Sequence, residues 1–365
     1  MKVGFENLGD TAVDMIRRIG AYADQQGVRA FLVGGIVRDL FLRRDNKDID
    51  VVVETDAIDF ARRFAVSRSL NVVAHPQFRT ATLCGASGLH VDFVTARKER
   101  YPRPGALPMV TPAGLSQDLF RRDFTINALA ASINALTFGQ VMDEYHGLTD
   151  IKRGVIRVFH ERSFIDDPTR ILRAVRFEQR LGFRFSPSTR RWLGEAIKAR
   201  AEQTVSEPRY FKEFARGLIA PGGGKYLIRL SSLGALKFLG TTGGFPRELL
   251  RRLDRRLSLF MKKGVPEFEA AVVYLSALFY RQGPQAVTDL ARTFQWPRSW
   301  TKGVLAVLTA IDKWRGLSDN GAGQDEWLDF FQRCDLEGLL FLRVAILDEA
   351  EGRVCDQILK RRNRQ

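Results

Sequence analysis

Two aspartates, Asp48 and Asp50, have the residue type and spacing best suited to chemistry; they flank Ile49 at the start of an apolar run. Alternate residues of a strand point to the same face, so Asp48 and Asp50 are predicted to project together while Ile49 turns inward. Two adjacent carboxylates repel unless a cation lies between them, and Mg²⁺ suits carboxylate oxygens together with substrate phosphates. The pair predicts a metal site for a phosphate-bearing substrate, although two solvated acidic residues would show the same pattern.

A glycine pair precedes these aspartates. Gly34 and Gly35 end an earlier apolar run. Backbone without a Cβ lets a triphosphate approach the N–H groups that open the next helix. Glycines and aspartates together indicate nucleotidyl transfer; an ordinary turn next to a strand is the alternative.

A third carboxylate, Asp92, lies in a predicted hairpin. Residues 78–84 and 89–95 are apolar and rich in β-formers, and residues 85–88 between them are typical of a turn. Sheet pairing would bring Asp92 next to the aspartate pair as a third catalytic residue. A satisfied aspartate on an edge strand is the other interpretation.

Residues 98–118 show no periodicity and contain several prolines and glycines, which predicts a long loop. The segment after it looks helical from about Asp123. Arg121 and Arg122 at its start are suited to gripping a phosphate or ribose, although arginines before a helix are common. Asn127 lies among apolar residues, and a buried amide there needs a hydrogen-bond partner.

A second motif begins at Asp167, where Asp-Pro predicts a helix start and Gly182 a helix end. Asp167 can simply cap this helix. Arg170 and Arg173 follow at helical spacing, so one face presents a carboxylate acceptor and guanidinium donors. Adenine and cytosine both place an amino donor next to a ring-nitrogen acceptor, which this pair complements, whereas guanine and uracil do not. The motif predicts selection of A or C without a nucleic-acid template.

Composition is that of an ordinary globular protein, with 365 residues, 45% hydrophobic and 27% charged. This length predicts two or more domains. The start has no signal-peptide pattern and no apolar run is long enough to span a membrane, so the expected compartment is the cytoplasm. Three cysteines and four histidines without metal-ligand spacing argue against a zinc site or a disulfide framework.

The positive charge is concentrated in the middle of the chain. The net charge is +15 overall, zero over residues 1–150, +17 over 151–310 and −2 over 311–365. A localised cationic surface is typical of proteins that bind a polyanion such as nucleic acid. A solvated helix face is the alternative for any single run. The RNA-binding candidates are Arg251, Arg252, Arg255, Arg256, Lys262 and Lys263.

The predicted fold class is an α+β head, a mixed sheet with helices, followed by all-α domains in an elongated multi-domain chain, because residues from 186 onward read as almost wholly helical. We predict a catalytic head at 1–150, a base-recognising helical neck at 151–220, and a helical, RNA-binding body and tail at 221–365.

Several blocks carry a family resemblance. They are LVGGIVRD (32–39), DID (48–50), VDFVTAR (91–97), DLFRRDFTINALA (118–130) and DDPTRILRAVRF (166–177). Occurring in this order, they resemble the class II tRNA nucleotidyltransferase and bacterial poly(A) polymerase family, within the polymerase β-type nucleotidyltransferase superfamily. The matched blocks span about residues 30–185, and the rest matches only in being helical and basic.

The resemblance implies roles for the head residues. Asp48 and Asp50 would bind the catalytic metals, expected to be two Mg²⁺ ions, with ATP and CTP as substrates. Arg38 and Asp39 would help to hold the incoming nucleotide.

The remaining motifs also gain implied roles. Arg121, Arg122 and Asp123 would orient the ribose and phosphates. Asp167 and Arg170 would act as the protein template for C and A. The template block often begins Glu-Asp in the family but begins with Asp166 here, which shortens only the first carboxylate.

The implied function is addition of nucleotides from CTP or ATP to the 3′ end of tRNA, with release of pyrophosphate and with the acceptor arm held by the basic segment. The long 98–118 segment disfavours an enzyme that adds only CC. Full CCA addition, addition of A alone and poly(A) synthesis all stay open. A small-molecule nucleotidyltransferase and a catalytically silent RNA-binding protein are the rivals from other classes. The sequence indicates no protein partner.

Overall fold

The computed structural model describes residues 1–46, 48–66, 70–84, 90–240, 244–262 and 269–362. The chain divides into two compact units. The head unit comprises Met1–Asp167 and Phe183–Trp192, and the helical unit comprises Pro168–Gly182 and Leu193–Gln365. The predicted three-domain borders near residues 150 and 220 stay a prediction.

The head unit is built from a seven-stranded sheet, helices and two small strand pairs. Its elements are α1 Asp10–Gln25, β1 Ala30–Val33, α2 Gly35–Phe41, β2 Ile49–Val53, α3 Ala57–Val66, β3 Asn71–His75, β4 Thr80–Cys84, β5 His90–Thr95, β6 Arg97–Arg100, β7 Met109–Pro112, α4 Leu115–Phe120, β8 Ala130–Ser132, β9 Val141–Met142, α5 Gly147–Arg153, β10 Val155–Ile156, α6 Ser163–Asp166 and, after α7 Thr169–Leu181 of the helical unit, β11 Arg184–Phe185.

The large sheet is mixed, as predicted. Its strand order is β3-β4-β5-β2-β1-β8-β9. Strands β2 and β5 run parallel, whereas the other neighbouring pairs of this sheet are antiparallel. The predicted hairpin is confirmed as β4 and β5; its turn at residues 85–88 lies outside the described residues.

Alternation along β5 separates the core face of the sheet from the open face. Val91 and Phe93 are buried while His90 and Asp92 are exposed. On the core side Phe93 packs against aromatic side chains of α3, with the rings of Phe64 and Phe93 at 6.3 Å. Burial of this apolar face drives the sheet and helices together and leaves Asp92 on the opposite side.

The predicted loop at 98–118 is wrong in part. Strands β6 and β7 form an antiparallel hairpin that pairs Arg97 with Pro112, and α4 follows it. Cross-strand hydrogen bonds supply the order that hydrophobic periodicity does not signal, so prolines and glycines at 102–108 mark the hairpin connection rather than an unstructured segment.

The predicted helix from Asp123 is also wrong. Only Thr125–Asn127 forms a single 3-10 turn, after which β8 pairs with β1. Residues 128–131 are fully buried, so pairing in the sheet overrides the helical preference of this alanine-rich segment.

The helical unit contains α7, the second half of α8 and nine further helices within the described residues. The bounds are α8 Pro187–Lys198, α9 Glu207–Ile219, α10 Gly223–Leu233, α11 Arg247–Lys262, α12 Ala270–Phe279, α13 Gly283–Thr293, α14 Arg298–Asp319, α15 Gln324–Arg333, α16 Leu336–Ala345 and α17 Glu349–Arg362.

Helix α12 forms the centre of this unit. It is apolar all round, and residues 271–279 are all buried against α9, α11, α14 and α16. The buried Asp254 of α11 accepts hydrogen bonds from Tyr274 Oη at 2.7 Å and from Gly224 N at 3.1 Å. Across the described ranges, every helix falls short of the length and apolar character needed to cross a bilayer.

Helix α7 agrees closely with the predicted one. It ends at Gly182, whose φ of 71° gives the left-handed cap that glycine favours. It is assigned from Thr169, and the two residues before it agree with the predicted start, because Asp167 has an extended backbone and Pro168 a helical one. A capping role for the Asp167 side chain stays a prediction.

Candidate active site

Three carboxylates lie on or next to the parallel strands β2 and β5. Asp50 and Asp92 are register partners, and Asp48 immediately precedes β2. Ile49 is buried, as the period-two pattern predicted. Burial raises the pKa of Asp50 to about 6; Arg122 opposes this shift, and the charges of Asp92 and Asp48 add to it. The repulsion expected between the carboxylates is therefore present at Asp50.

Asp92 also has a partner within the sheet, because Thr82 Oγ1 donates a hydrogen bond to Asp92 Oδ1 from the neighbouring strand β4. The structure thus places Asp92 next to Asp50 and gives it the contact of an ordinary strand aspartate. Its catalytic role stays a prediction.

The donor set fits Mg²⁺ held jointly with a triphosphate. Among the described residues, no three Asp, Glu, His or Cys side chains already enclose a metal position. Mg²⁺ is commonly bound through one or two carboxylates, water and substrate phosphates, so an open carboxylate group suits it. Arg122 Nε is buried and has no hydrogen-bond partner in the described part of the chain, which leaves a donor near Asp50 for a phosphate oxygen.

The predicted glycine turn lies against Arg122. Gly34 has φ of +78°, a conformation that side chains with a Cβ rarely adopt. A Cβ on Gly34 would lie 2.7 Å from Arg122 Nη1. Gly35 begins α2. The turn therefore favours glycine at 34, and a larger residue there would also displace the end of the Arg122 side chain.

The two predicted arginines are held by acidic side chains. Asp118 accepts from Arg121 Nε and from Arg122 Nη2, each at 2.9 Å, and Glu99 accepts from Arg121 Nη1 at 2.9 Å. Burial works against the ionised form of Asp118, but Arg122 and Arg121 hold its pKa below the usual value. Burial likewise opposes the charge of Arg121, yet Asp118 and Glu99 raise its pKa. Both guanidinium groups are thus ordered before any substrate binds.

The side chains of Arg38 and Asp39 are buried. Arg38 is 1% exposed and Asp39 is fully buried. Arg38 Nε and Nη2 donate to the two oxygens of Asp39, each at 2.8 Å, and Nη1 donates to Asn127 Oδ1. Asn127 Nδ2 then donates to Asp123 Oδ1 at 2.9 Å. The expected partner of Asn127 is confirmed, whereas the part of Arg38 and Asp39 in holding a nucleotide stays a prediction.

The base-reading candidates lie around the start of α7. Asp167 belongs to the head unit, while Arg170 and Arg173 lie one turn apart in the helical unit. Arg170 is 6% exposed. Arg173 lies 3.6 Å from the buried Glu213, which also accepts from Arg176 at 2.9 Å. Their role in selecting the base stays a prediction.

Five of the six RNA-binding candidates lie on α11. Arg251, Arg252 and Arg255 are exposed, whereas Arg256 pairs with Asp356 of α17. The side chain of Lys262 and the whole of Lys263 lie outside the described residues.

Three residues of the site were missed by the sequence analysis: Glu99, Asp118 and Asn46. Asp118 precedes Arg121 and Arg122 by three and four positions, the spacing of neighbours on a helix, and this signal would have identified it. Glu99 is brought to Arg121 by the β6–β7 hairpin, which no local pattern predicts. Asn46 shows the turn-forming Asn-x-Asp pattern, with its Oδ1 accepting from Asp48 N at 2.9 Å.

Comparisons with known proteins agree with the fold of the head. Residues 30–157 match the poly A polymerase head domain. The A-adding tRNA nucleotidyltransferase of Geobacter sulfurreducens is 42% identical over 227 residues, which cover 62% of this chain and 26% of the relative. That of Aquifex aeolicus is 51% identical over 170 residues, which cover 47% of this chain and 20% of the relative. The chain therefore spans about a quarter and a fifth of the lengths of these curated relatives.

A solved structure extends the similarity beyond the head. The structure of a tRNA nucleotidyltransferase complexed with a primer tRNA and an incoming ATP analogue matches with a TM-score of 0.80 and 28% identity, covering 94% of this chain and 98% of that chain. The head is similar to the poly A polymerase head domain, and the fold of the chain is similar to that of solved tRNA nucleotidyltransferases.

Proposed function

We propose that this protein adds nucleotides from ATP or CTP to the 3′ end of tRNA without a nucleic-acid template and releases pyrophosphate. The observation that carries the proposal is the register pairing of Asp50 with Asp92 beside Asp48, with the charge of Arg122 opposing the raised pKa of Asp50. Carboxylates and an unmatched arginine donor together are suited to a metal-bound triphosphate.

In the proposed reaction, the terminal hydroxyl of the RNA attacks the α-phosphorus and gives up its proton to solvent. The bond from that phosphorus to the bridging oxygen breaks, and pyrophosphate leaves. Asp48, Asp50 and Asp92 would hold two Mg²⁺ ions. When bound, these ions favour the ionised form of the attacking hydroxyl and neutralise charge on the departing pyrophosphate. Arg122 would donate through its Nε to a phosphate oxygen, and Arg121 would remain ordered by Asp118 and Glu99.

Base selection would fall to Asp167 and Arg170. A carboxylate acceptor with a guanidinium donor complements the edge that adenine and cytosine share. With guanine or uracil, both side chains would be desolvated without partners, which costs about 1–3 kcal/mol for each group. The basic middle of the chain would hold the acceptor arm through its phosphates and A-form shape, and cytoplasmic tRNA is the proposed substrate pool.

The sequence motifs leave open which nucleotides are added, and the two relatives described above support one of the possibilities. Both curated relatives described above are A-adding enzymes. We therefore propose a tRNA ending in CC as the substrate and ATP as the nucleotide added. Full CCA addition and poly(A) synthesis are the alternatives within the family.

The test is incubation with tRNAs ending at the discriminator base, at C and at CC, each with labelled ATP or CTP and Mg²⁺, read at nucleotide resolution. A single A added only to tRNA-CC supports the proposed programme. Addition of CCA to the shortest tRNA would establish the full programme, and long A tails on any RNA would establish poly(A) synthesis. No incorporation on any of these RNAs would overturn the proposed function. Asp48→Ala, tested alongside, should retain tRNA binding while losing transfer.

A further inference from the structure

Asn46 makes two hydrogen bonds that join a buried ion pair to a candidate metal ligand. Its Oδ1 accepts from the backbone N–H of Asp48 at 2.9 Å, and its Nδ2 donates to Asp39 Oδ2 at 2.8 Å. Asp39 in turn accepts hydrogen bonds from Nε and Nη2 of Arg38. The backbone at Asp48 is therefore connected through one amide side chain to the most deeply buried charges of α2.

Asp48 needs such an anchor more than Asp50 does. Asp50 lies within β2, where pairing with β5 fixes its backbone. Asp48 is exposed and precedes the first residue of β2. Two carboxylates share a cation only when their relative position is held to within about 0.5 Å. Groups that orient a metal ligand from behind therefore change metal affinity without touching the metal.

We propose that Asn46 is a positioning residue of the nucleotidyl-transfer site, and that it sets the position of Asp48 relative to Asp50 by linking the Asp48 backbone to Asp39. The inference rests on the proposed function, because it assigns Asn46 a role in binding the divalent cation of that reaction. Loss of the Asn46 hydrogen bonds should weaken metal binding without abolishing nucleotidyl transfer.

The experiment measures binding of Mn²⁺ alone to the full chain, through the electron paramagnetic resonance signal of free Mn²⁺. Asn46→Ala should weaken Mn²⁺ binding about fivefold, the effect of losing a hydrogen bond of about 1 kcal/mol. The Mg²⁺ concentration for half-maximal transfer should rise by a similar factor, while kcat at saturating Mg²⁺ changes less. Asn46→Ser keeps an oxygen for the Asp48 N–H but is too short to reach Asp39, so it should resemble Asn46→Ala.

Asp56→Ala is the matched control. The exposed Asp56 accepts from the backbone N–H groups of Ile58 and Asp59, each at 2.9 Å, which is the same kind of local contact away from the buried pair. The Mn²⁺ affinity of the Asp56→Ala variant should equal that of the unmodified protein. Unchanged Mn²⁺ affinity in Asn46→Ala, or full recovery in Asn46→Ser, would overturn the positioning role. If the unmodified protein transfers no nucleotide to tRNA while Asn46→Ala still weakens Mn²⁺ binding, only the proposed function fails.

Discussion

Asp50 and Asp92 lie side by side as register partners on the parallel strands β2 and β5. Parallel partners point to the same face of the sheet, so the charge of Asp92 raises the pKa of Asp50, in addition to the larger effect of burial. The pKa of about 6 means that the protein without metal carries an ionised carboxylate that its surroundings disfavour at neutral pH. A bound cation would reverse that balance.

Replacement of Asp50 should stabilise the protein in the absence of metal. The pKa of Asp50 in the folded protein is raised above 3.8. The stabilising contribution of its protonated carboxyl is therefore complete below about pH 4 and is lost as the pH rises through about 6. Asp50→Asn should therefore raise the free energy of unfolding at pH 8 by about 1–3 kcal/mol, and the difference should vanish near pH 4. Calorimetry in EDTA measures this difference. An Asp50→Asn variant that is less stable than the unmodified protein at pH 8 would contradict the conclusion that ionised Asp50 destabilises the fold.

The pH dependence of transfer should follow the same group. Activity should fall as the pH drops below about 6 at limiting Mg²⁺, because protonated Asp50 is no longer a ligand. Raising Mg²⁺ should move the midpoint to lower pH, since the metal competes with the proton. Initial rates at two Mg²⁺ concentrations measure the shift; a midpoint independent of Mg²⁺ would mean that another group controls the profile.

The two interpretations of Asp92 can be separated with its partner Thr82. If Asp92 is a ligand of the site, Asp92→Asn should lower kcat by about 100-fold or more, comparable to losing a catalytic group. Thr82→Val removes the hydrogen bond to Asp92 but keeps the carboxylate, so it should change kcat by less than about tenfold. Equal, small effects of the two variants would identify Asp92 as an ordinary strand residue.

Features set by neighbouring residues could be predicted from the sequence, whereas features set by contacts between distant segments could not. The inward Ile49 and the shared side of Asp48 and Asp50 follow from strand geometry over three residues. The pairing of Asp50 with Asp92 needs strands 42 positions apart to lie side by side. The local sequence of each strand is compatible with this pairing but does not predict it. Strand β8 and the 97–112 hairpin escaped prediction because their order comes from pairing with distant segments. For the same reason Glu99 was missed, although Asp118 had a readable helical spacing.

Asp118 should be the most important acidic residue for stability in the head. It is fully buried and serves two arginines, so Asp118→Asn leaves buried positive charge uncompensated and should cost about 3–5 kcal/mol. Asp59→Asn removes an exposed pair with Arg63 and should cost less than about 1 kcal/mol. Hydrogen exchange of the β1 and β2 amides measures both, and a similar small loss in the two variants would contradict the buried network.

Arg252 and Arg256 should differ in their effect on tRNA binding. Arg252 is exposed, whereas Arg256 is occupied by Asp356. If α11 contacts phosphates, Arg252→Ala should reduce the slope of log affinity against log salt by about 1. Arg256→Ala should leave that slope unchanged and lower the unfolding temperature instead. Filter binding over a salt series measures the slopes, and an unchanged slope in Arg252→Ala would favour a solvated helix face.

The base-reading role of Arg170 can be tested through selectivity rather than rate. Loss of a guanidinium donor that pairs with the base should lower the ratio of kcat/KM for ATP to that for GTP by about 10- to 100-fold, the value of a pairing of about 1–3 kcal/mol. Arg180→Ala, on the exposed last turn of α7, should leave the ratio unchanged. A variant that only loosens the fold lowers transfer from both nucleotides equally. If Arg170→Ala behaves in that way, the buried arginine supports the helical unit and the choice of base lies with other residues.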